Sequence, residues 1–317
     1  MDFKEIQRAR ELLSSHLPIS RMIPAPSLSR EAGAEVFLKL ESELPTSSFK
    51  PRGALHTLLR RLEHGPVAGV VTASTGNHGA AVAWAARRLH LPAAVFLPEN
   101  SNAAKRARIA AEGAEIIEVG AFLELSRERA ERFARERGWF LIVDGRDYDL
   151  TIGAATLALE ILDQLPSADA IFVPVGDSSL IRGIAFAAKH AKPGLRIIGI
   201  QAEGAPAYYR SWNERRVVCT DFSDTIADGI AVRQTLAENV QQLCELVDEM
   251  KLVSDKQMLA AISRLLLEEH VLAEPAGAAA TTALLASGKS YAGKTVVLLV
   301  SGANIAPEIL QRAINAS

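Results

Sequence analysis

Short runs of β-branched and other apolar residues alternate along the chain with alanine-rich stretches whose apolar side chains recur three and four residues apart. The first pattern predicts buried strands and the second predicts amphipathic helices. The predicted strands are Val36–Glu41, Ala68–Ala73, Ala93–Leu97, Glu115–Val119, Phe140–Val143, Ala170–Val175, Arg196–Gln201, Thr295–Val300 and, with a less regular pattern, Leu246–Leu252. The predicted helices are Arg52–Glu63, Gly79–Leu89, Asn102–Glu112, Phe122–Arg137, Gly153–Gln164, Leu180–His190, Lys256–His270 and Pro275–Ala286. This alternation is typical of an α/β protein with mostly parallel sheets flanked by helices.

The regular alternation of strands and helices is confined to one part of the chain. Four β-α units follow one another between about residues 65 and 146, and the flanking parts contain the remaining elements. We therefore expect a smaller domain, residues 65–146, inserted into a larger one that consists of residues 1–64 and 147–317.

Composition and charge restrict the function classes. The 317 residues are 49% hydrophobic, and 35 Lys plus Arg against 37 Asp plus Glu leave a net charge of −2 without a basic block. This balance argues against nucleic acid or an anionic membrane as partner and favours a small ligand. Cys219 and Cys244 lie in no metal-ligand spacing, and Met1–Ile6 carries charges where a signal peptide needs an apolar run. We expect a soluble, cytoplasmic protein.

Turns that lead from a strand into a helix are where parallel α/β sheets bind ligands. Ser74-Thr75-Gly76-Asn77-His78-Gly79 is such a turn, and its small polar residues and glycines expose backbone N–H groups and hydroxyls to an anion. The alternative interpretation is a helix with an ordinary N-terminal cap.

Two further strand ends carry candidate chemistry. Gly176-Asp177-Ser178-Ser179-Leu180 follows an apolar strand and can bind a phosphate on its backbone N–H groups. The same letters allow a capped helix or an esterase with Ser178 as nucleophile, although the chain contains no Asp-x-x-His pair for the latter. Ser301, at the end of the strand Thr295–Val300, can hydrogen-bond one heteroatom of a ligand.

Lys50 stands out because it precedes Pro51 at a predicted helix start, beside Phe49 and small hydroxyl residues. The helix dipole at this position disfavours a positive charge, so we expect a neutral amine, which is the form that makes an imine. The alternative is an ordinary surface lysine.

Taken together, these segments resemble the fold-type II pyridoxal-phosphate enzymes, which share the fold of the tryptophan synthase β subunit. The resemblance is greatest to the threonine/serine dehydratases and serine racemases. Besides the turns already described, it rests on Ser48–Ala54, Thr225–Ile230, Glu274–Ala278 and Ser301–Asn304, in the family's order and spacing.

The resemblance assigns a role to each of these residues. It implies pyridoxal 5'-phosphate as cofactor, with Lys50 as its covalent attachment point and as the catalytic base, and Thr75 as a second catalytic residue. The implied cofactor-binding residues are Phe49, Lys50, Asn77, Gly176, Asp177, Ser178, Ser179, Leu180, Gly229, Glu274 and Ser301. The implied substrate-binding residues are Ser74, Thr75, Gly76, Asn77 and His78, which agrees with the anion turn derived above.

The resemblance also implies an activity and an assembly. The expected reaction is α,β-elimination from a β-hydroxy amino acid, L-threonine or L-serine, to a 2-oxo acid and ammonia, by a homodimer. Thr75 occupies the place of the racemase serine and keeps its hydroxyl, so amino-acid racemisation stays open as an alternative.

The chain departs from the family pattern in two places. Asp177 replaces a glycine in the phosphate turn, and because a carboxylate repels a phosphate, we expect its side chain to face solvent. A non-catalytic relative that binds an amino acid is the alternative that this substitution leaves open. Gln201 and Ala207 stand where metal-dependent relatives have acidic ligands, so no metal site is expected.

Overall fold

The computed structural model describes residues 1–99, 101 and 103–315. Its strands are β1 (Met22–Pro24), β2 (Glu35–Leu40), β3 (Val70–Ala73), β4 (Ala93–Leu97), β5 (Glu115–Glu118), β6 (Phe140–Leu141), β7 (Ala170–Pro174), β8 (Arg196–Ala202), β9 (Glu249–Val253) and β10 (Thr295–Val300). Its α-helices are α1 (Phe3–Ser14), α2 (Pro26–Ala32), α3 (Lys50–Glu63), α4 (Asn77–Arg88), α5 (Ala103–Ala111), α6 (Leu123–Arg137), α7 (Tyr148–Gln164), α8 (Ser179–Ala191), α9 (Ala207–Glu214), α10 (Ala237–Leu246), α11 (Asp255–Glu268), α12 (Pro275–Ala286) and α13 (Pro307–Asn315). No helix of the described part is long and apolar enough to cross a membrane.

Each predicted strand and helix overlaps an observed element, so the predicted α/β class is confirmed. The strand predicted at Leu246–Leu252 was wrong in its first part, because Leu246 still belongs to α10 and β9 begins at Glu249. Helix α7 begins at Tyr148, earlier than the predicted Gly153. The helix start predicted at Asn102 lies outside the described residues.

The strands form two sheets. Six strands are ordered β1-β2-β10-β7-β8-β9, and four are ordered β5-β4-β3-β6. All pairings are parallel except that of β1 with β2. The second sheet lies within residues 65–146, the predicted smaller domain, whose boundaries stay a prediction.

Helices cover both faces of the six-stranded sheet. On β10, Val296, Leu298 and Val300 pack in a core with α11 and α12, while Val297 and Leu299 pack in another with α7 and α8. Successive side chains of a strand point to opposite faces, which explains why β10 is apolar throughout. The sheet thus brings the carboxyl ends of its central strands to one edge.

A buried ion-pair network fixes the start of α3. The guanidinium of Arg52 donates hydrogen bonds of 2.6–2.9 Å to the carboxylates of Glu41 and Glu160, and the Nζ of Lys39 donates to Glu160 at 3.0 Å. All four side chains are less than a tenth exposed. Because Glu160 lies on α7, the network joins α7 to the helix whose first residue is Lys50.

Candidate active site

A cavity of about 510 Å³ opens at the carboxyl ends of β3, β7 and β10. The structure brings fourteen of the fifteen sequence-predicted site residues to its wall: Phe49, Lys50, Ser74, Thr75, Gly76, Asn77, His78, Gly176, Asp177, Ser178, Leu180, Gly229, Glu274 and Ser301. The fifteenth, Ser179, is the buried first residue of α8, directly behind this wall. Residues far apart in the sequence therefore form one site.

Lys50 lies between two carboxylates. Its Nζ is 2.8 Å from both oxygens of Asp144 and 2.7 Å from Oδ2 of Asp177, and it lies 5.1 Å from the centre of the Phe49 ring. Burial by itself lowers the pKa of Lys50, but the two carboxylates raise it above its usual value. The expectation of a neutral amine was therefore wrong in the free protein, because two acidic residues outweigh the helix dipole and the burial.

Asp144 is the site residue that the sequence analysis missed. It follows the two-residue strand β6 and lies 3.5 Å from Nδ1 of His78. Burial and the neighbouring Asp177 carboxylate raise the pKa of Asp144 to about 7. On Asp177 burial acts in the same direction, but the charge of Lys50 and several hydrogen bonds hold the pKa well below its usual range. The position of Asp144 after a strand was the signal that could have revealed it.

The turn Gly176–Leu180 is shaped by close backbone contacts. A Cβ on Gly176 would lie 2.3 Å from the carbonyl oxygen of Gly229, so only glycine fits here. Ser178 adopts a left-handed backbone with φ of 77°, and its hydroxyl accepts a hydrogen bond from Nε of Arg182 at 3.1 Å. The hydroxyl of Ser179 is buried without a hydrogen-bond partner among the described residues.

The side chain of Asp177 was expected to face solvent, but it points to Lys50. One carboxylate oxygen contacts Lys50, and the other accepts the backbone N–H of Ser179 at 2.7 Å. The attraction to Lys50 and to the N-terminus of α8 explains this orientation, and neither partner was visible in the local sequence. The prediction of a solvent-facing carboxylate was wrong.

The turn Ser74–His78 leads from β3 into α4. The amide of Asn77 donates to Oε1 of Glu274 at 2.8 Å and accepts from Nδ2 of Asn304 at 2.7 Å. His78 is only 3% exposed, neither ring nitrogen has a hydrogen-bond partner in the described part of the chain, and burial lowers its pKa to about 3. The turn therefore presents a neutral imidazole and the N-terminus of a helix to the cavity.

Ser301 and Lys50 are held in register by backbone hydrogen bonds. The N–H of Phe49 donates to the carbonyl of Ser301 at 3.0 Å, and the N–H of Ala303 donates to the carbonyl of Ser47 at 3.0 Å. A Cβ on Gly302 would lie 2.6 Å from Oε1 of Glu274, so this glycine lets Glu274 approach. Burial raises the pKa of Glu274 to about 7.

A family model for pyridoxal-phosphate dependent enzymes matches residues 13–302, which is most of the chain. The chain belongs to this family. The resemblance seen in the sequence is therefore confirmed, and with it the fold type and the cofactor.

This pyridoxal-phosphate enzyme is similar over most of its length to threonine ammonia-lyases and to a serine racemase. An L-threonine ammonia-lyase of Thermotoga maritima is 32% identical over 312 residues, which is 98% of this chain and 78% of the relative. A catabolic L-threonine dehydratase of Staphylococcus aureus is 34% identical over 306 residues, 95% of this chain and 88% of the relative. The structure of maize serine racemase superposes with a TM-score of 0.93 at 29% identity, covering 99% of this chain and 97% of the other.

The cavity of this pyridoxal-phosphate enzyme fits its cofactor by chemistry as well as by descent. Lys50 supplies a primary amine, and Ser301 supplies a neutral hydroxyl at the end of β10. The tight approach of Gly176 to Gly229 and the unpartnered Ser179 hydroxyl suit a phosphate that is bound by backbone N–H groups and hydroxyls. By contrast, Ser178 has Arg182 and no histidine as its hydrogen-bond partner, which gives the esterase interpretation no support.

Positions beyond the fifteen predicted site residues also have clear roles. Gln201, at one of the two places compared with metal-dependent relatives, accepts the backbone N–H of Tyr209 at 2.9 Å and so caps α9, whose first residue is Ala207. Tyr208 lines the cavity and donates to the carbonyl of Asp177 at 3.3 Å, whereas Trp212 packs against a hydrophobic core.

We expect the substitution Asp177→Asn to strengthen binding of pyridoxal phosphate by about tenfold, because it removes a negative charge from the turn Gly176–Leu180, which is predicted to bind the phosphate. Asparagine keeps an oxygen that can accept the Ser179 N–H. The measurement is an absorbance titration of pyridoxal phosphate into the cofactor-free protein. The control is Asp163→Asn, because Asp163 is exposed and paired with Arg10. Weaker binding by the Asp177 variant would show instead that the carboxylate helps to retain the cofactor.

Proposed function

We propose that this chain is an ammonia-lyase that converts a β-hydroxy amino acid, L-threonine or L-serine, into a 2-oxo acid and ammonia. One observation carries the proposal: the Lys50 amine, the turn Ser74–His78 predicted to bind an anion, and residues of the turn Gly176–Leu180 line the same cavity. The names of the relatives, L-threonine ammonia-lyase and L-threonine dehydratase, support the same reaction.

Their shared position on the cavity wall supports the set of residues that we propose to hold the cofactor. We assign the phosphate to Gly176–Leu180, the ring to Phe49, Asn77 and Ser301, and the covalent attachment to Lys50. When bound, pyridoxal phosphate withdraws electrons from the substrate α-carbon and so makes its C–H bond acidic. Glu274 and Asn304 position the Asn77 amide through their hydrogen bonds to it.

We assign the remaining steps to backbone and side-chain groups of this protein. The backbone N–H groups and hydroxyls of Ser74–His78 bind the substrate carboxylate, which orients the α-carbon towards Lys50. The Lys50 amine, released on substrate binding, removes the α-proton. Ser301 would place a neutral hydroxyl at the ring nitrogen instead of a carboxylate that stabilises its protonated form, and we infer that this favours elimination of the β-hydroxyl over transamination.

The experiment that tests the proposal is a substrate panel on the holoenzyme. L- and D-serine, L- and D-threonine, 3-hydroxyaspartate and 3-phenylserine are assayed for 2-oxo acid, for ammonia and for the opposite enantiomer. We expect equal amounts of 2-oxo acid and ammonia from an L-substrate. A protein that binds these amino acids without forming either product would be a non-catalytic relative, and the proposal would be wrong.

Amino-acid racemisation is the second candidate, because Thr75 places a hydroxyl at the cavity wall and maize serine racemase is a structural neighbour. The same panel tests it through the opposite enantiomer. Its characteristic result is formation of that enantiomer without ammonia, and loss of this activity in Thr75→Val, which keeps the branched shape and removes the hydroxyl.

We also propose a cytoplasmic location, a homodimer and a two-domain organisation with residues 65–146 as the smaller domain. The free thiols of Cys219 and Cys244 support a reducing compartment. The dimer rests on the family resemblance, and the domain division agrees with the separate four-stranded sheet.

A further inference from the structure

The acidic side chains of the cavity wall all have partners, whereas some of its basic side chains do not. Lys50 contacts Asp144 and Asp177, Lys105 forms an ion pair with Asp228, and Arg233 forms one with Glu124 at 2.8 Å. The remaining acidic group, Glu274, accepts hydrogen bonds from neutral amides. Every carboxylate of the wall is thus engaged.

Three cations of the same wall remain. Arg108, Arg127 and Arg146 line the cavity, and none of them forms a side-chain hydrogen bond or an ion pair with another residue of the described ranges 1–99, 101 and 103–315. Two arginines nearby but outside the cavity do form ion pairs: Arg106 contacts Glu118 at 2.7 Å, and Arg87 contacts Glu112 at 2.6 Å. Exposed arginines such as Arg129 and Arg132 on α6 also have no ion pair or hydrogen bond to another described residue, so what distinguishes these three is that they line the cavity.

Helix geometry explains why Arg108 and Arg127 face the cavity. Arg108 follows Lys105 by three residues on α5, and Arg127 follows Glu124 by three residues on α6. Residues three apart share one helix face, and both members of each pair line the cavity. Arg106 lies between Lys105 and Arg108 on α5, and its side chain contacts Glu118 instead.

The three arginines line the same cavity as the substrate turn. Burial raises the pKa of Glu274, the partner of Asn77, and Arg108 is close enough to lower it in part. Burial lowers the pKa of His78, and Arg127 is close enough to lower it further. Arg146 lies two residues after Asp144, which contacts Lys50. Positive charge thus approaches the turn Ser74–His78 from α5, from α6 and from the loop after β6.

We propose that the cavity selects β-hydroxy amino acids that carry a second carboxylate, which Arg108, Arg127 and Arg146 bind. Guanidinium groups pair with carboxylates through charge-assisted hydrogen bonds, and since every carboxylate of the wall is already engaged, an anionic ligand is the partner that the cavity leaves to these three. The α-carboxylate already has the backbone N–H groups of the turn. The arginines therefore serve a carboxylate at the other end of the substrate.

The inference rests on the proposed lyase function and narrows its substrate class. 3-Hydroxyaspartate has the chemistry required: the α-proton is removed, the β-hydroxyl leaves as water after taking up a proton, and hydrolysis of the resulting imine releases ammonia. The products are oxaloacetate and ammonia, with no net oxidation. L-Threonine is the matched comparison, since it has a methyl group where 3-hydroxyaspartate has the carboxylate.

The kinetic test compares these two substrates in the wild-type holoenzyme, in Arg108→Met, Arg127→Met and Arg146→Met, and in the triple variant. We expect kcat/KM in the wild type to be about tenfold or more higher for 3-hydroxyaspartate than for L-threonine. The triple variant is expected to lose about a hundredfold on 3-hydroxyaspartate and less than about threefold on L-threonine. Arg106→Met is the control and changes neither. Equal losses on both substrates, or a wild-type preference for L-threonine, would overturn the proposal.

A binding measurement separates this inference from the lyase function. Aspartate and 2-aminobutyrate lack the leaving group and differ only in carboxylate against methyl, and both are titrated by the change in cofactor absorbance. We expect tighter binding of aspartate, an advantage that high salt and the triple variant both reduce. If this holds while no substrate yields a 2-oxo acid, the carboxylate site stands and the lyase function fails. If L-threonine is turned over and aspartate binds no more tightly than 2-aminobutyrate, the lyase function stands and the proposed carboxylate site is wrong.

Discussion

Replacing Lys50 with alanine is expected to lower 2-oxo acid formation by about 10⁴-fold or more, because one amine both attaches the cofactor and moves the α-proton. The fold should persist, since Lys50 lies at the open cavity and Asp144 can take up a proton when its cation is removed. The measurements are 2-oxo acid release and cofactor absorbance on the purified variant.

Two controls separate chemistry from charge. Lys50→Arg keeps a cation between Asp144 and Asp177 but cannot form an imine, so it should be as inactive as the alanine variant. Lys189→Ala removes a surface lysine paired with Asp248 and should leave turnover unchanged. An active Lys50→Arg variant would show that the amine acts only as a charge.

Replacing Arg52 with leucine is expected to lower the free energy of unfolding by about 3–5 kcal/mol, since it leaves the carboxylates of Glu41 and Glu160 buried beside a single remaining cation, Lys39. Because Arg52 lies two residues after Lys50, we expect weaker cofactor retention as well. The measurement is urea denaturation of the variant and the parent.

Arg60→Leu is the matched control on the same helix. Arg60 pairs with Glu63 near the surface, where an ion pair contributes less than about 1 kcal/mol. A loss from Arg52→Leu no larger than that from Arg60→Leu would mean that the buried network adds specificity without stability.

Much of the fold was predictable because the strands of both sheets are buried on two faces and leave continuous apolar runs, as in β10. The missed elements lack such a signal. Strand β1 is three residues long and ends at Pro24, and α2 begins at Pro26, where proline suggests a turn. Helices α1, α9, α10 and α13 were also missed, and in α1 and α9 only three residues each are buried, so their buried stripes are narrow.

The site was predictable as a set of turns, but its electrostatics were not. Lys50, Asp144 and Asp177 are separated by 94 and 33 residues, and only the folded chain places them within hydrogen-bond distance. The local sequence therefore predicted a neutral Lys50 and a solvated Asp177, and both were wrong. Arg52 similarly reads as a solvated helix residue until Glu41 and Glu160 surround it.

The covalent bond between Lys50 and the cofactor is the central claim, and it can be trapped directly. Sodium borohydride added to the holoenzyme converts that bond into a stable amine, and mass spectrometry of a proteolytic digest then locates it. We predict one pyridoxyl-phosphate group per chain, on the peptide that contains Lys50, with none in Lys50→Ala. Reduction that leaves the Lys50 peptide unmodified, or that labels another lysine instead, would contradict the account.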